Sequence, residues 1–350
     1  MADVNAIVRP AERSDCEAIK ALIQELANFN KLPDGPKMSY QDLVRDGFDT
    51  SPPLFTSYVA TVQGKVVGYA LFFYIYSTWQ GKALFLEDLY VCEEYRKRGI
   101  GGLLFDNVVE FAVKNDCCKL DFTVYNWNNS AQKFYLGKGA ADITVSNNWH
   151  CYRMEKEALL NLCSKLKKLK MMQEKKYPYG RGKMADVNAI VRPAERSDCE
   201  AIKALIQELA NFEKQPDGPK ISYQDLVRDG FDTSPPLFTS YVATVQEKVV
   251  GYAIFYYVYS TWKGKALFLE DLYVCEEYRN KGIGGLLFDT VVQFAVKNDC
   301  CKLDFSVLSW NPAQKFYSRK GAADITVSND WHCYRMEKQA LLNLCSKLKK

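Results

Sequence analysis

The chain consists of two nearly identical repeats. The letters MADVNAIVRPAERSDCEAIKALIQELANF begin at Met1 and again at Met184, and roughly nine positions in ten agree through the stretch that follows. A period of a whole domain, instead of about 20–50 residues, indicates two tandem globular copies and not a solenoid. We therefore expect a first repeat at residues 1–168, a linker at 169–183 and a second repeat at 184–350.

The segment between the repeats, LKMMQEKKYPYGRGK, is basic, contains a proline and shows no apolar period. Such a composition is typical of a connection between domains. Met184 resembles an initiator methionine, so the chain has the organisation of two fused coding regions, whether the fusion is natural or engineered.

Composition excludes several classes of protein. With 48% apolar and 13% aromatic residues, each repeat can bury an ordinary core. The formal charge of +4 on 350 residues is too small to indicate nucleic-acid binding. The N-terminus has no signal-peptide pattern, and the apolar run at 66–79 is too short and interrupted to span a bilayer. We expect a cytoplasmic protein that binds neither nucleic acid nor membrane.

Cysteine and histidine are distributed in a way that disfavours a metal site. The twelve cysteines include no Cys-x-x-Cys spacing, and His150 and His332 are the two imidazoles of the chain. We interpret the cysteines as reduced side chains packed like small apolar residues. A lone histidine in an aromatic strand is more often structural than catalytic, so neither histidine is a candidate base.

Strand and helix signals alternate along each repeat. In the first, residues 5–11 predict an edge strand, Ser14 with Glu17 predicts a capping box for a helix to about Phe29, and Ser39 with Asp42 opens a shorter helix. The other expected elements are strands at 57–63, 65–78, 83–92, 119–125 and 141–154, and helices after residue 99, around 129–138 and at the end of the repeat. This order predicts an α/β fold with a mixed β-sheet flanked by helices in each repeat.

A glycine-rich turn connects an apolar strand to a helix in both repeats. In EEYRKRGIGG, the residues Gly99, Gly101 and Gly102 allow a ligand to approach the backbone, and the first N–H groups of the helix have no partner within it. The pattern indicates an anion site, although many such turns only join a strand to a helix. The spacing matches neither a dinucleotide-binding fingerprint nor a P-loop, so the class of nucleotide stays open at this point.

Two adjacent carboxylates interrupt the strand before that turn. Glu87 and Asp88 lie in FLEDLYV, and Glu270 and Asp271 lie in the same letters of the second repeat. Burial of such a pair without a functional reason is costly, which favours a general base or a binding site for a cation. A pair of solvated acids on an edge strand is the alternative.

These motifs together resemble a known family. LEDLYV, YRKRGIGG, WNNSAQKFY and KGA occur in the order seen in the GNAT superfamily of N-acetyltransferases. More narrowly, LIQELANF, DGF, STWQGKALFLEDLYV and NWHCYRMEK resemble the diamine acetyltransferases, which include spermidine/spermine and thialysine enzymes. The resemblance covers both repeats and leaves out the linker.

The resemblance implies acetyl-CoA as the cosubstrate and no metal. The strand before the glycine turn would pair with the pantetheine arm through its backbone, and the amides of the turn would hold the pyrophosphate. The implied acetyl-CoA contacts are Leu89, Tyr90, Val91, Arg96, Lys97, Arg98, Gly99, Ile100, Gly101, Gly102 and Asn128 in the first repeat, and Leu272, Tyr273, Val274, Arg279, Asn280, Lys281, Gly282, Ile283, Gly284, Gly285 and Asn311 in the second.

The resemblance also implies catalytic and substrate residues. Glu87 and Glu270 match the family glutamate that helps remove a proton from the amine, and Tyr135 and Tyr317 match the tyrosine beside the departing thiolate. The implied substrate contacts are Phe29, Asn30, Trp79 and Asp88, and Phe212, Glu213, Trp262 and Asp271. An indole can face a cationic amine for about 0.5–2 kcal/mol.

The two repeats differ at one implied substrate position. The family commonly has an acid where the second repeat has Glu213, whereas the first repeat has Asn30. This departure predicts that the repeats differ in their preference for long polyamines.

The resulting hypothesis is direct acetyl transfer from acetyl-CoA to primary amines of small di- or polyamines or thialysine-like amino acids. Acetylation of protein lysine is an alternative, because lysine is also an alkylamine, and so is a non-catalytic protein that binds acetyl-CoA or polyamine. Since related acetyltransferases often work as homodimers, the resemblance further implies that the repeats pair as an intrachain pseudo-dimer.

Overall fold

A computed structural model of the chain describes residues 5–144, 149–176, 188–326 and 331–348. The first repeat folds in the order that its pattern predicts, except that the strand expected at 141–154 is divided into two strands that belong to different sheets. Its elements are β1 (Ala6–Pro10), α1 (Cys16–Phe29), α2 (Tyr40–Val44), β2 (Thr56–Val62), β3 (Lys65–Ser77), β4 (Gly81–Val91), α3 (Ile100–Lys114), β5 (Lys119–Tyr125), α4 (Asn129–Gly137), β6 (Ala141–Asp142), β7 (Trp149–Glu155) and α5 (Lys156–Lys176).

The second repeat follows the same order. Its elements are β8 (Ala189–Pro193), α6 (Cys199–Phe212), α7 (Tyr223–Val227), β9 (Thr239–Val245), β10 (Lys248–Ser260), β11 (Gly264–Val274), α8 (Ile283–Lys297), β12 (Lys302–Leu308), α9 (Ala313–Arg319), β13 (Ala323–Asp324), β14 (Trp331–Glu337) and α10 (Lys338–Leu348). Within the described residues, no helix is both long and apolar enough to cross a membrane.

Two local expectations have different outcomes. The capping box expected at Ser39 and Asp42 is present, with the Ser39 hydroxyl accepting from the Asp42 N–H at 3.2 Å. The one expected at Ser14 and Glu17 is wrong. A short 3₁₀-helix precedes α1, so the capping box forms earlier, between Glu12 and Asp15. There Asp15 also accepts from Arg9, which favours the earlier start.

Each half of the molecule has a seven-stranded mixed sheet. The strand orders are β1-β2-β3-β4-β5-β14-β6 and β13-β7-β12-β11-β10-β9-β8. The pairs β4–β5 and β11–β12 are parallel, and the other neighbours are antiparallel. The parallel pair follows from the helix α3 that connects β4 to β5, because parallel strands need a crossover. This confirms the predicted α/β fold with a mixed sheet in each repeat.

The repeats exchange their last strands. β7 of the first repeat pairs with β12 of the second from Glu155↔Lys302 to Trp149↔Leu308, and β14 of the second pairs with β5 of the first. The helices follow their strands, so Leu159 of α5 packs in the core of the second half and Leu341 of α10 packs in the core of the first. The boundaries at residues 168 and 184 therefore separate the repeats but do not separate the sheets.

The predicted linker at 169–183 is also partly regular. Helix α5 continues to Lys176, since leucine, lysine, methionine and glutamine favour a helix without an apolar period. Residues 177–187, which include the rest of the predicted linker, lie outside the described residues.

Ion pairs hold the exchanged strands. Arg153 on β7 donates to Asp304 on β12 at 2.7 and 2.9 Å, and Arg335 on β14 donates to Asp121 on β5 at the same distances. Burial raises the pKa of Asp304, but Lys302 and Arg153 together bring it below the ordinary value. These aspartates remain ionised, and their two-point contacts with arginine select the register of the exchanged strands.

A shared core joins the two halves. It contains Tyr69 and Phe55 from the first repeat together with Tyr252 and Phe238 from the second. The Phe55 ring lies 4.6 Å from that of Tyr259, whose hydroxyl donates to Asp46 at 3.1 Å. The repeats thus contact each other through an apolar interface as well as through the exchanged strands.

This arrangement predicts the result of cutting the chain. A protease site introduced between residues 176 and 188 should leave two fragments that elute together at the size of the intact chain, because β7 and β14 stay in the sheet of the other fragment. Denaturing electrophoresis would verify the cut. Separation of the native fragments by size exclusion would contradict the exchange.

Candidate active sites

The glycine turn has the backbone conformation of an anion site. Gly99 has φ +80° and ends the turn in the left-handed region, which glycine adopts without strain, and α3 begins at the next residue. A Cβ on Gly99 would meet no atom within 4 Å, and one on Gly101 would meet only Val91 at 3.9 Å. The first N–H groups of α3 are therefore approachable from outside the helix. Gly282, with φ +82°, repeats this geometry before α8.

Beside each turn, two parallel strands diverge. Among the described pairings, β4 meets β5 only from Leu84↔Leu120 to Leu86↔Phe122, although β4 continues to Val91. The backbone of Leu89–Val91 consequently faces an opening on that side. A linear ligand with amide groups can add to such an edge as a further strand does. Along the chain, this unpaired part of β4 lies between the acidic pair and the glycine turn.

A β-bulge interrupts β4 at the acidic pair. In the β3–β4 register, Leu71 faces Asp88 and Phe72 faces Leu86, so Glu87 is the extra residue. Consecutive strand residues normally point to opposite faces, and a bulge re-aims a side chain. The second repeat has the same bulge at Glu270, between Leu269 and Asp271. Sequence patterns do not reveal the bulge, and for that reason an edge-strand pair remained an alternative.

Groups of both repeats surround the first acidic pair. The Tyr69 hydroxyl donates to Asp88 at 2.7 Å, and Thr261 of the second repeat has polar groups that favour the ionised carboxyls, its hydroxyl acting on Asp88 and its N–H on Glu87. Burial, followed by the charge of Asp88, raises the pKa of Glu87 to about 8, and burial also raises the pKa of Asp88. Both carboxyls lie within the protein but retain some surface that a substrate can reach.

The second acidic pair has the reciprocal partners. Tyr252 donates to Asp271 at 2.8 Å, and Thr78 of the first repeat favours the ionised carboxyls, its hydroxyl acting on Asp271 and its N–H on Glu270. Burial and the charge of Asp271 raise the pKa of Glu270 to about 7, and burial raises that of Asp271 to about 6. We call the Glu87/Asp88 pair with its partners the first site and the Glu270/Asp271 pair with its partners the second site.

Each predicted tryptophan packs against a residue of the other repeat. The Trp79 ring packs against Gly218, where an added Cβ would lie 2.6 Å from it, and the Trp79 carbonyl accepts from Lys220 at 2.7 Å. Since Thr78 acts on the second acidic pair, its neighbour Trp79 lies on the side of the second site. Trp262 packs against Gly35 in the same way beside the first site.

Glu213 reaches the second acidic pair. It follows helix α6, and burial together with the charges of Asp271 and Glu270 raises its pKa to about 8. Three carboxyls therefore converge at the second site. Asn30 follows α1 at the matching position of the first site, where the cluster has two.

The predicted tyrosines lie next to the acidic pairs. Tyr135 is 7% exposed and packs 4.3 Å from Phe122, and burial followed by the charge of Asp88 raises its pKa well above the ordinary value. Tyr317 is in the same position relative to Phe305 and Asp271. Both phenols therefore stay protonated and can act as hydrogen-bond donors at neutral pH.

Other predicted contacts have structural partners already. Arg96 donates to the Val91 carbonyl at 2.9 Å and lies over the rings of Phe29 and Tyr90, at 4.7 and 5.1 Å. Phe29 packs 5.4 Å from Trp127. The Asn128 side chain caps α4 by accepting from Ala131 at 3.1 Å. These side chains shape the walls of the opening.

Five further residues lie beside the acidic pairs and were not expected there from the sequence: Thr78, Thr261, Tyr69, Tyr252 and Tyr256. The Tyr256 hydroxyl donates to Glu270 at 3.0 Å. Threonine and tyrosine in apolar strands carry no distinctive pattern. The aromatic excess of β3 and β10 was the one available signal. Within the described part of the chain, no group of three or more His, Cys, Asp or Glu is arranged to hold a metal ion. The side chains of His150 and His332 lie outside the described residues.

Comparisons of the sequence identify proteins that this chain resembles. Residues 19–138 and 202–322 match the sequence profile of the acetyltransferase (GNAT) family. The thialysine N-epsilon-acetyltransferase of Bos taurus is 41% identical over 167 residues, covering 45% of this chain and 98% of that protein. The spermidine/spermine N(1)-acetyltransferase-like protein 1 of Homo sapiens is 36% identical over 162 residues, covering 44% of this chain and 23% of that protein.

A solved structure shares the fold. The GCN5-related N-acetyltransferase from Sphaerobacter thermophilus aligns over 95% of each chain with a TM-score of 0.51 and 14% sequence identity.

The contact between Trp79 and Gly218 predicts a stability effect. Gly218→Ala should lower the free energy of unfolding by about 1–3 kcal/mol, because the new methyl group overlaps a rigid indole ring. Denaturant titration followed by tryptophan fluorescence would measure it. Gly137→Ala is the matched control, since a Cβ there meets nothing within 4 Å and alanine favours the helix. Equal stability of Gly218→Ala and the parent would contradict this packing.

Proposed function

Because the chain belongs to the acetyltransferase (GNAT) family and is an acetyl-CoA-dependent N-acetyltransferase, we propose that it acetylates primary amines of small di- or polyamines or of thialysine-like amino acids. Both sites have the acidic pair, the glycine turn and the tyrosine, so both halves are proposed to be active. The identities of 41% and 36% to enzymes named for thialysine and for spermidine/spermine support this class of substrate.

The convergence of buried carboxyls is the observation that carries the proposal. Glu213, Glu270 and Asp271 all have raised pKa values, since burial and mutual repulsion disfavour three negative charges together. A ligand with two or more ammonium groups removes both penalties. An indole ring from Trp79 beside the cluster would add a cation–π contact. Small cationic amines are therefore the ligands that this cluster favours.

Backbone groups along the opening fit the acetyl-CoA cosubstrate, which supplies the acetyl thioester. We assign the pantetheine arm to the unpaired edge at Leu89–Val91 and the pyrophosphate to the amides of the turn from Lys97 to Gly102. In the second half, the corresponding groups are Leu272–Val274 and the turn from Asn280 to Gly285. Glycines at the start of α3 leave space for that approach.

Acetyl transfer requires the reacting nitrogen to lose a proton. An alkylamine with a pKa near 10.4 is protonated at pH 7, and removing that proton costs roughly 4–5 kcal/mol. Glu87 and Glu270 can accept it directly or through water, and a raised carboxyl pKa makes them better matched bases. As the neutral amine attacks the thioester carbon, the carbon–sulfur bond breaks and the thiolate accepts a proton or a hydrogen bond from Tyr135 or Tyr317.

The two sites should prefer different amines. In equilibrium and kinetic assays with a panel of diamines, spermidine and thialysine, we expect the second site to favour the more highly charged amine by a few-fold. One more ionic contact in a partly open cleft stabilises binding by about 0–1 kcal/mol. Because burial raises the pKa of Glu213 to about 8, the preference should grow between about pH 7 and pH 9 as this carboxyl ionises.

Asn30→Glu provides the matched variant, since it gives the first site the acid of the second. Its spermidine-to-diamine ratio should move toward that of the second site. An unchanged ratio would contradict the assignment of Glu213. CoA release with lysine peptides in preference to every small amine would favour protein acetylation, and no release with any amine would favour a binding protein.

Removing the two phenol hydroxyls should separate chemistry from binding. We expect Tyr135→Phe with Tyr317→Phe to lower kcat about 10- to 100-fold while acetyl-CoA affinity stays within about twofold, since the hydroxyl acts on the leaving sulfur. Calorimetry with CoA and steady-state kinetics would measure both quantities. Loss of CoA affinity in parallel with kcat would place the tyrosines in cofactor binding instead.

A further inference from the structure

The two glutamates differ in one hydrogen bond. The Tyr256 hydroxyl lies 3.0 Å from the Glu270 carboxylate, and the first repeat has Phe73 at the matching position of β3. The rings are placed alike. Phe73 lies 5.6 Å from Phe85 at 27°, Tyr256 lies 5.6 Å from Phe268 at 24°, and both residues are 6% exposed. The difference between the two positions is therefore the hydroxyl.

The remaining surroundings of the glutamates correspond closely. Glu270 faces Asp271 on its own strand, Lys119 on β5 and the N–H of Thr78, with Glu213 near the pair. Asp121, which pairs with Lys119 at 2.9 Å, is a further charge that acts on Tyr256.

Glu87 correspondingly faces Asp88, Lys302 on β12, Asp304 and the N–H of Thr261. The additional charged group of the second site, Glu213, acts against ionisation of Glu270. It therefore cannot account for easier ionisation there.

We propose that Tyr256 is a positioning residue of the second site, which keeps Glu270 oriented and available as a base at lower pH than Glu87, so that the two halves of the chain acetylate amines over different pH ranges. This inference rests on the proposed function, because it requires that the glutamates act as bases.

The physical reason is that a phenol hydroxyl donates to the charged form of a carboxyl. Such a bond favours the carboxylate, and more strongly where water is excluded. Tyr256 is fully enclosed, and burial followed by the charge of Glu270 raises its pKa well above the ordinary value, so it remains a donor throughout the working range. A lower pKa for the glutamate that accepts this bond agrees with the pKa of about 7 for Glu270 and about 8 for Glu87.

Testing the inference requires each site to be observed alone. Gly101→Glu and Gly284→Glu would silence the first and second sites respectively, because a carboxylate at the start of the helix repels the pyrophosphate. A Cβ at either glycine has its nearest neighbour at 3.9 Å, and glutamate is favourable in the first turn of a helix, so the fold should be retained. Calorimetry should then show one CoA bound per chain in place of two.

With the first site silenced, Tyr256→Phe is compared with its parent from pH 6 to pH 9. The ratio of their kcat/KM values cancels the ionisation of the free amine and reports the free enzyme. We expect the variant to be about tenfold slower at pH 6 and nearly equal to its parent at pH 9, as a shift of about one pKa unit requires. With the second site silenced, Phe73→Tyr should produce the opposite change in the first site.

Two controls separate this role from a structural one. Tyr257→Phe removes a hydroxyl from the next residue of β10, whose ring contacts Phe294 and not Glu270, and it should leave the profile unchanged. Tyr256→Phe added to Glu270→Gln should cause no further pH-dependent loss.

A kcat/KM ratio for Tyr256→Phe that is the same at every pH, or a loss that persists in Glu270→Gln, would overturn the inference while amine acetylation stood. Absence of CoA release from both single-site proteins, with one CoA still bound by each, would instead overturn the proposed function.

Discussion

The reciprocal exchange of β7 and β14 is the constraint on which the rest of the structure depends. Arg335 enters the first sheet with β14 and bonds Asp121, which in turn pairs with Lys119 at 2.9 Å. The charge of Lys119 lowers the pKa of Glu270 in the opposite half, against the larger effect of burial. Because Arg153, Asp304 and Lys302 repeat this chain of contacts toward Glu87, neither acidic pair has its full set of partners within one repeat.

Much of the architecture was predictable because local patterns determine it. The strand at Lys119–Tyr125 has the bounds that the sequence indicates, and the helix after Gly99 begins where the sequence indicates. The exchange was not predictable, since the strand at residues 149–155 can pair equally well with the near-identical β5 or β12. Nothing in its side chains distinguishes two partners that carry the same Lys-x-Asp pattern.

The sites were predictable to a similar degree. The acidic pair, the glycine turn and the tyrosine are recognisable because each combines unusual residue types in a fixed order. The site to which each tryptophan belongs was not predictable. Trp79 is close to Glu87 in sequence, but it packs against the other repeat, and its neighbour Thr78 lies near Glu270. Likewise, a phenylalanine and a tyrosine at one position of an apolar strand look equivalent until the carboxylate within 3.0 Å of the hydroxyl is seen.

Fusion of the repeats changes what substitutions in the sites can do. In a symmetric homodimer every substitution appears in both sites, whereas here Asn30 and Glu213, or Phe73 and Tyr256, occupy equivalent positions in one molecule. The linker also holds the repeats at an effective concentration of about millimolar, so divergence at the interface is tolerated without loss of pairing. Both differences lie beside the same acidic pair. The first changes the number of carboxyls, and the second changes the hydrogen-bond donor to the proposed base. The tandem arrangement therefore allows the two halves of one chain to differ independently in the amine charge they prefer and in the pH at which they work.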